Sequence, residues 1–216
     1  MPLVTHGTMG QYKRLITNPR WLIMLIFGMA LVFFAKMLRP ALAAIIETIP
    51  AASAYDFILD VLPVISASWI IYIYIYLMTA ASILLIVTKF YYKPIDLPYV
   101  AFVFAFAMIL TDILFTVTVV GPPLNFTNTW LAWDFNKDLF PSMHVGAPFI
   151  AFLLADRRWV KAILLAVTAI MVAVVLLMHT HYTIDAIGAI FIFFGLWCLC
   201  DKYLKNFLRR AYFARR

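Results

Sequence analysis

Six long apolar runs leave this chain few ways to fold. They extend approximately from Trp21 to Leu38, Val64 to Val87, Tyr99 to Val120, Ser142 to Ala155, Val160 to Met178 and Thr183 to Cys200. Stretches of roughly 17–25 apolar residues cross a bilayer as helices, because lipid offers no partner to an exposed backbone amide. The fourth run is short, and we extend it to Arg157 by letting the arginine stems reach the interface. Composition agrees: 66% of the 216 residues are hydrophobic and 12% charged, where soluble domains carry roughly a quarter charged. The sequence therefore predicts an all-α integral membrane protein, a six-transmembrane-helix bundle forming a single membrane domain over residues 1–216. Between the first two runs, "PALAAIIETIPAASAYDFILDVLP" is moderately apolar with scattered acids, which suits an interfacial helix or a re-entrant piece. The first run follows a basic stretch and has no small-residue cleavage site, so it reads as a retained span.

Charge then sets the orientation. With the N-terminus cytoplasmic, 14 of the 17 Lys and Arg face the cytoplasm, leaving Lys36, Arg39 and Lys137 on the other side. That bias is the positive-inside pattern. Residues 1–20 and 201–216 become basic cytoplasmic termini. The net charge of +7 is then accounted for by topology and anionic headgroups, so the bilayer is the partner and no nucleic acid is needed. Cys198 and Cys200 sit near the cytoplasmic end of the last run as ordinary packing residues, reversible acylation being the alternative, with no sign of a disulfide or metal site.

The same threading gathers the polar residues. Pro141–Ser142–Met143–His144 falls at the non-cytoplasmic start of the fourth span, and His179, His181 and Asp185 at the non-cytoplasmic junction of the last two. His181 and Asp185, four apart, share a face if helical. The carboxylate can then fix the imidazole tautomer and leave the other ring nitrogen as nucleophile or base. His144, from another helix, can protonate a leaving group. Pro141 suits a first helical turn whose free amides would face an anion. This arrangement fits phosphoryl transfer through a phosphohistidine. The competing readings are packed structural histidines, a zinc site and a transporter's proton relay.

"PSMH" at 141–144 and "HYTID" at 181–185 resemble the second and third signature blocks of the type 2 phosphatidic acid phosphatase superfamily. The resemblance implies that His181 is the nucleophile, Asp185 its orienting acid and His144 the general acid, acting on lipid phosphates with no metal and no cofactor. Two features depart from the pattern. Val174 and Val175 stand where the third block has Ser-Arg, and the first block is missing, the corresponding region reading "VTVVGPP". "HYTID" and "DLFPSMH" are more similar to the sphingomyelin synthase and inositol-phosphorylceramide synthase branch, which moves phospho-headgroups between lipids. A diester carries one charge and needs fewer fixed cations than a terminal monoester, which agrees with that lean.

Six further residues are candidate substrate contacts, each with a plain alternative. Asp112 in the third span would accept an acceptor's proton and Arg39 would meet the substrate, or the two would pair with each other. Lys137 and Asp138 would meet the headgroup, or belong to a solvated loop. Ser142 would donate to a phosphate oxygen, or cap its helix. His179 would join the site, or pack as an interface residue. Trp130, Trp133, Phe135 and Phe140 form an interfacial belt or a cage for a quaternary ammonium headgroup. The expected partners are a phospholipid or lipid phosphate substrate and a lipid alcohol acceptor. Three functions compete: headgroup transferase or diester hydrolase, phosphatase of lipid phosphates or polyprenyl pyrophosphates, and non-catalytic transporter or scaffold.

Overall fold

The structure, a computed structural model, describes residues 15, 17–65, 68–121, 123 and 140–213, excluding the side chains of 68–75 and 213. The described chain is helical: α1 (Pro19–Glu47), α2 (Phe57–Val61), α3 (Ser68–Tyr92), α4 (Leu97–Val117), α5 (Met143–Leu154), α6 (Arg158–Leu177), α7 (Thr183–Leu199) and α8 (Lys205–Phe213). A 3-10 turn, Pro94–Asp96, leads into α4, and a π turn, Cys200–Leu204, joins α7 to α8. Four helical stretches are long and apolar enough to cross a membrane: Pro19–Glu47, Pro94–Val117, Arg158–Leu177 and Thr183–Tyr212. Tyr76–Tyr92 and Met143–Leu154 are shorter apolar helices.

Local chemistry sets the helix ends. The Asn18 side chain accepts from the amides of Arg20 (3.1 Å) and Trp21 (3.4 Å), and Pro19 occupies the position that needs no amide, so α1 begins there. Hydroxyls inside apolar helices turn back onto carbonyls a turn earlier, as Thr111 does to Ala107 and Thr168 to Leu164. Large apolar side chains point outward along α1, Phe33 at 63% exposure among them, and Phe191 of α7 reaches 72%. Such a surface is an aggregation hazard in water and an ordinary one in lipid.

Two boundaries differ from the sequence reading. The segment after the first run is not one separate helix: Pro40–Glu47 continues α1, and only Phe57–Val61 is helical beyond it. The proline ring removes one intrahelical bond without ending the helix. The fourth run stops at Leu154 rather than reaching Arg157. Asp156 is drawn out of the helix by Lys89 (2.6 Å) and Lys93 (3.1 Å), and Arg157, extended at φ −89° and ψ 133°, starts α6 while its guanidinium lies 4.0 Å from the Tyr92 ring. The twelve residues of α5 therefore span only about 18 Å.

The long helices alternate in direction, α1 packing on α4 and α5 on α6 and α7. One end of the bundle collects the ion pairs of Lys89, Lys93 and Arg209 with Asp96 and Asp156. The other collects the histidines. There Gly121 bridges to Ser53, its amide donating to Ala52 O (3.0 Å), and the amide of Ile65 donates to Leu177 O (2.8 Å).

Candidate active site

The stretch His179–Asp185 is organised by two helix ends. α6 closes with Thr180 N–H donating to Val175 O (3.1 Å) and His179 N–H to Leu176 O (3.0 Å), while His179 takes φ 50°. This is the helix stop that glycine usually provides, with a histidine in the left-handed position. α7 then starts at Thr183, and two carboxylates hold its first amides. Asp185 Oδ2 accepts from Tyr182 N–H (2.8 Å), and Asp56 Oδ2 accepts from Thr183 N–H (2.6 Å). Asp56 Oδ1 also accepts from the Thr183 hydroxyl (3.2 Å) and from the amides of Ile58 (3.0 Å) and Leu59 (3.3 Å). One side chain thus caps α2 and α7 together. Burial alone would raise the Asp56 carboxyl, but the hydrogen bonds from Thr183, Leu59 and Ile58 hold it below the ordinary carboxylate value. Tyr182, buried, locks the turn by accepting from Ala54 N–H (2.8 Å) and donating to Gly121 O (2.9 Å).

His181 is therefore not on the helix, which changes how it meets Asp185. It lies before the α7 cap, and Asp185 reaches back to it from the first turn. Oδ2 of Asp185 stands 3.5 Å from Nδ1 of His181, beyond a normal hydrogen bond, so Nδ1 is buried without one, because the same oxygen serves the Tyr182 amide. The carboxylate acts on the ring through its charge.

α5 brings the second histidine. Ser142 is its cap residue, which puts Pro141 ahead of the helix rather than in its first turn. The Ser142 amide donates to Asp185 O (3.2 Å), joining the starts of α5 and α7. Its hydroxyl does not cap the helix and is buried with no partner. Glycines let the two helices close. A Cβ on Gly146 would overlap the Phe193 ring, and one on Gly188 the Phe140 ring. The close approach sets His144 Nδ1 2.9 Å from His181 Nε2, with ring centroids 5.2 Å apart at 64°. Asp185 on the Nδ1 side favours the proton on Nδ1 of His181. In that tautomer Nε2 carries the lone pair and His144 Nδ1–H is the donor; in the other the roles reverse.

The remaining candidates divide. Arg39 of α1 lies 4.7 Å over the Phe115 ring. Asp112 is buried in α4 one turn before Phe115. His179 is buried, but it lines a small pocket with Asp56, Asp60 and Tyr182, and no hydrogen bond or ring contact joins it to the histidine pair. Lys137, Asp138, Trp130, Trp133 and Phe135 lie outside the described residues. Phe140 packs against Gly188. Among the described residues, no three His, Cys, Asp or Glu side chains converge as metal ligands. Asp56, Tyr182, Gly146 and Gly188 were not singled out by the sequence. "DFIL" does carry a cap residue ahead of an apolar turn, but nothing local announces its partner 127 positions away.

Comparisons of the chain with protein-family models, with curated proteins and with solved structures find no match.

Proposed function

We propose that the chain is a six-span membrane enzyme of lipid phosphoryl chemistry, transferring or hydrolysing a phospho-headgroup through a phosphohistidine on His181. The observation that carries the reading is the histidine pair, half-buried His144 with Nδ1 2.9 Å from Nε2 of buried His181, and a carboxylate behind the second ring. In this reading α1, α3, α4, α5, α6 and α7 are the spans, and the segment holding α2 lies at the interface. The cationic ends face the cytoplasm and the histidines the opposite side.

The resting hydrogen bond already has the polarity the chemistry needs. The lone pair of His181 Nε2 attacks phosphorus as the bond from phosphorus to the leaving oxygen breaks. His144, entering the step as the imidazolium, gives its Nδ1 proton to that oxygen and is left neutral. An acceptor alcohol or water then attacks the phosphohistidine, returning its proton to His144 Nδ1 and freeing Nε2. Asp185 stabilises the positive charge that develops on the His181 ring, while Arg39 and the Ser142 hydroxyl serve the phosphate oxygens. Lys137 and Asp138 are proposed headgroup contacts and Asp112 an acceptor contact. For phosphorus to enter, the rings must part to roughly 6 Å, a near-attack distance plus a hydrogen bond.

With Arg39 proposed as the cation serving the phosphate, a singly charged diester is favoured over a terminal monoester. The second reading, a lipid phosphate or polyprenyl pyrophosphate phosphatase, keeps the same two histidines. The test is liposome-reconstituted protein given labelled phospholipids, ceramide and diacylglycerol, followed by mass spectrometry of the lipids and of His181. Headgroup exchange with a phosphorylated His181 supports the proposal, and inorganic phosphate release without an acceptor supports the second reading. No turnover of any substrate, or full turnover in His181→Ala, sinks both.

A further inference from the structure

A second polar cavity opens at the other end of the bundle. Its volume is about 260 Å³, and it lies between the last turn of α5, the first turn of α6 and the π turn after α7. Leu154 at its wall is ten residues along α5 from His144, roughly 15 Å, so the two sites are separate.

The charges around it do not cancel. Asp156 is taken by Lys89 (2.6 Å) and Lys93 (3.1 Å), and Asp201 by Lys205 (2.5 Å). Lys161 also lines the cavity and has no carboxylate partner among the described residues; its ammonium lies 5.4 Å from the Phe152 ring. Tyr99 supplies an independent sign of a ligand. It is 3% exposed and lines the cavity, and its hydroxyl, with Asp201 beside it, makes no hydrogen bond of full geometry. A buried hydroxyl without a partner is costly in a finished site. Asp201 stands in the π turn, a backbone form frequent at functional sites.

We infer that this cavity binds the phosphate of an anionic phospholipid from the leaflet at the cationic end of the bundle, with Lys161 as its counter-ion and the Tyr99 hydroxyl as its hydrogen-bond donor. A lipid rather than a free ion is favoured because Leu153 and Trp197 give the same cavity an apolar side. Basic pockets between spans on that face bind such headgroups. The inference needs the membrane orientation but not the histidine chemistry.

Native mass spectrometry of the full chain released from phosphatidylcholine nanodiscs tests it, with dioctanoyl phosphatidylglycerol, dioctanoyl phosphatidylcholine and inorganic phosphate as probes. The wild type should retain one phosphatidylglycerol about tenfold better than phosphatidylcholine. Lys161→Gln should lower that retention about tenfold and Tyr99→Phe about threefold, with His181→Ala unchanged. Equal retention of the two lipids, or unchanged retention in Lys161→Gln and Tyr99→Phe, would overturn the inference. So would uptake of inorganic phosphate without a lipid preference. Loss of the lipid in His181→Ala would assign it to the histidine pair and overturn the second site.

Discussion

Replacing Gly146 by alanine adds a single carbon where the Phe193 ring already lies, and Phe193 is fully buried, so the ring has no free volume to enter. Overpacking of this kind costs about 1–3 kcal/mol. The alanine regains about 1 kcal/mol of helix preference, so the net loss of stability is about 0–2 kcal/mol. Activity should fall much further than stability. The added carbon wedges α5 from α7 two residues beyond His144, and a misplacement of about 1 Å costs roughly a hundredfold in rate. The assay pairs thermal unfolding in detergent with headgroup turnover in liposomes. Gly146→Ala should unfold a few degrees lower and turn over about a hundredfold more slowly. Phe193→Leu in the same chain should restore much of the rate by making room for the new carbon. Wild-type turnover in Gly146→Ala, or no recovery in the double variant, would refute the idea that helix spacing sets the histidine geometry.

Other perturbations probe the supports of the site. Asp56→Ala removes caps from α2 and α7 and should cost about 1–3 kcal/mol, read by chemical or thermal unfolding. Because the folded Asp56 carboxyl sits below its ordinary value of 3.8, its stabilisation is present above that pH and fades as pH falls below it; Asp56→Ala should flatten this part of the stability-pH curve. His179→Gly should relieve about 1 kcal/mol of left-handed strain while leaving turnover within a few-fold, as rate measurements will show. Arg39→Gln should slow turnover at least tenfold, with Arg39→Lys recovering part of it; equal rates for all three would remove Arg39 from the site.

The helices were legible because apolar runs of this length have few other uses, and the two histidine stretches were legible as neighbours because alternating spans return to the same end. The contact between Asp185 and His181 was anticipated, but its cause was not. An i, i+4 spacing suggests a shared helical face, whereas Asp185 reaches back from the first turn to a residue outside the helix. The end of α5 could not be read from hydropathy, since it is set by Lys89 and Lys93, more than sixty positions from Asp156. The role of Asp56 is of the same kind. Its own helix cap is written locally, but its hold on Thr183 exists only after the bundle has formed. His179 looked like a member of the site by proximity in sequence, and backbone geometry turned it into a helix stop.

The shortness of α5 bears on which nucleophile can finish the reaction. At about 18 Å against a hydrocarbon layer of roughly 30 Å, a helix anchored at its cationic end lifts His144 only part of the way to the far surface. In the orientation proposed, the phosphorus would be bonded to His181 in a recess, below the level where bulk water is plentiful and beside the chains of neighbouring lipids. An alcohol delivered sideways from the bilayer would meet it at high local concentration, while solvent would have to descend, so in the proposed chemistry the depth of one truncated helix would favour exchange over hydrolysis.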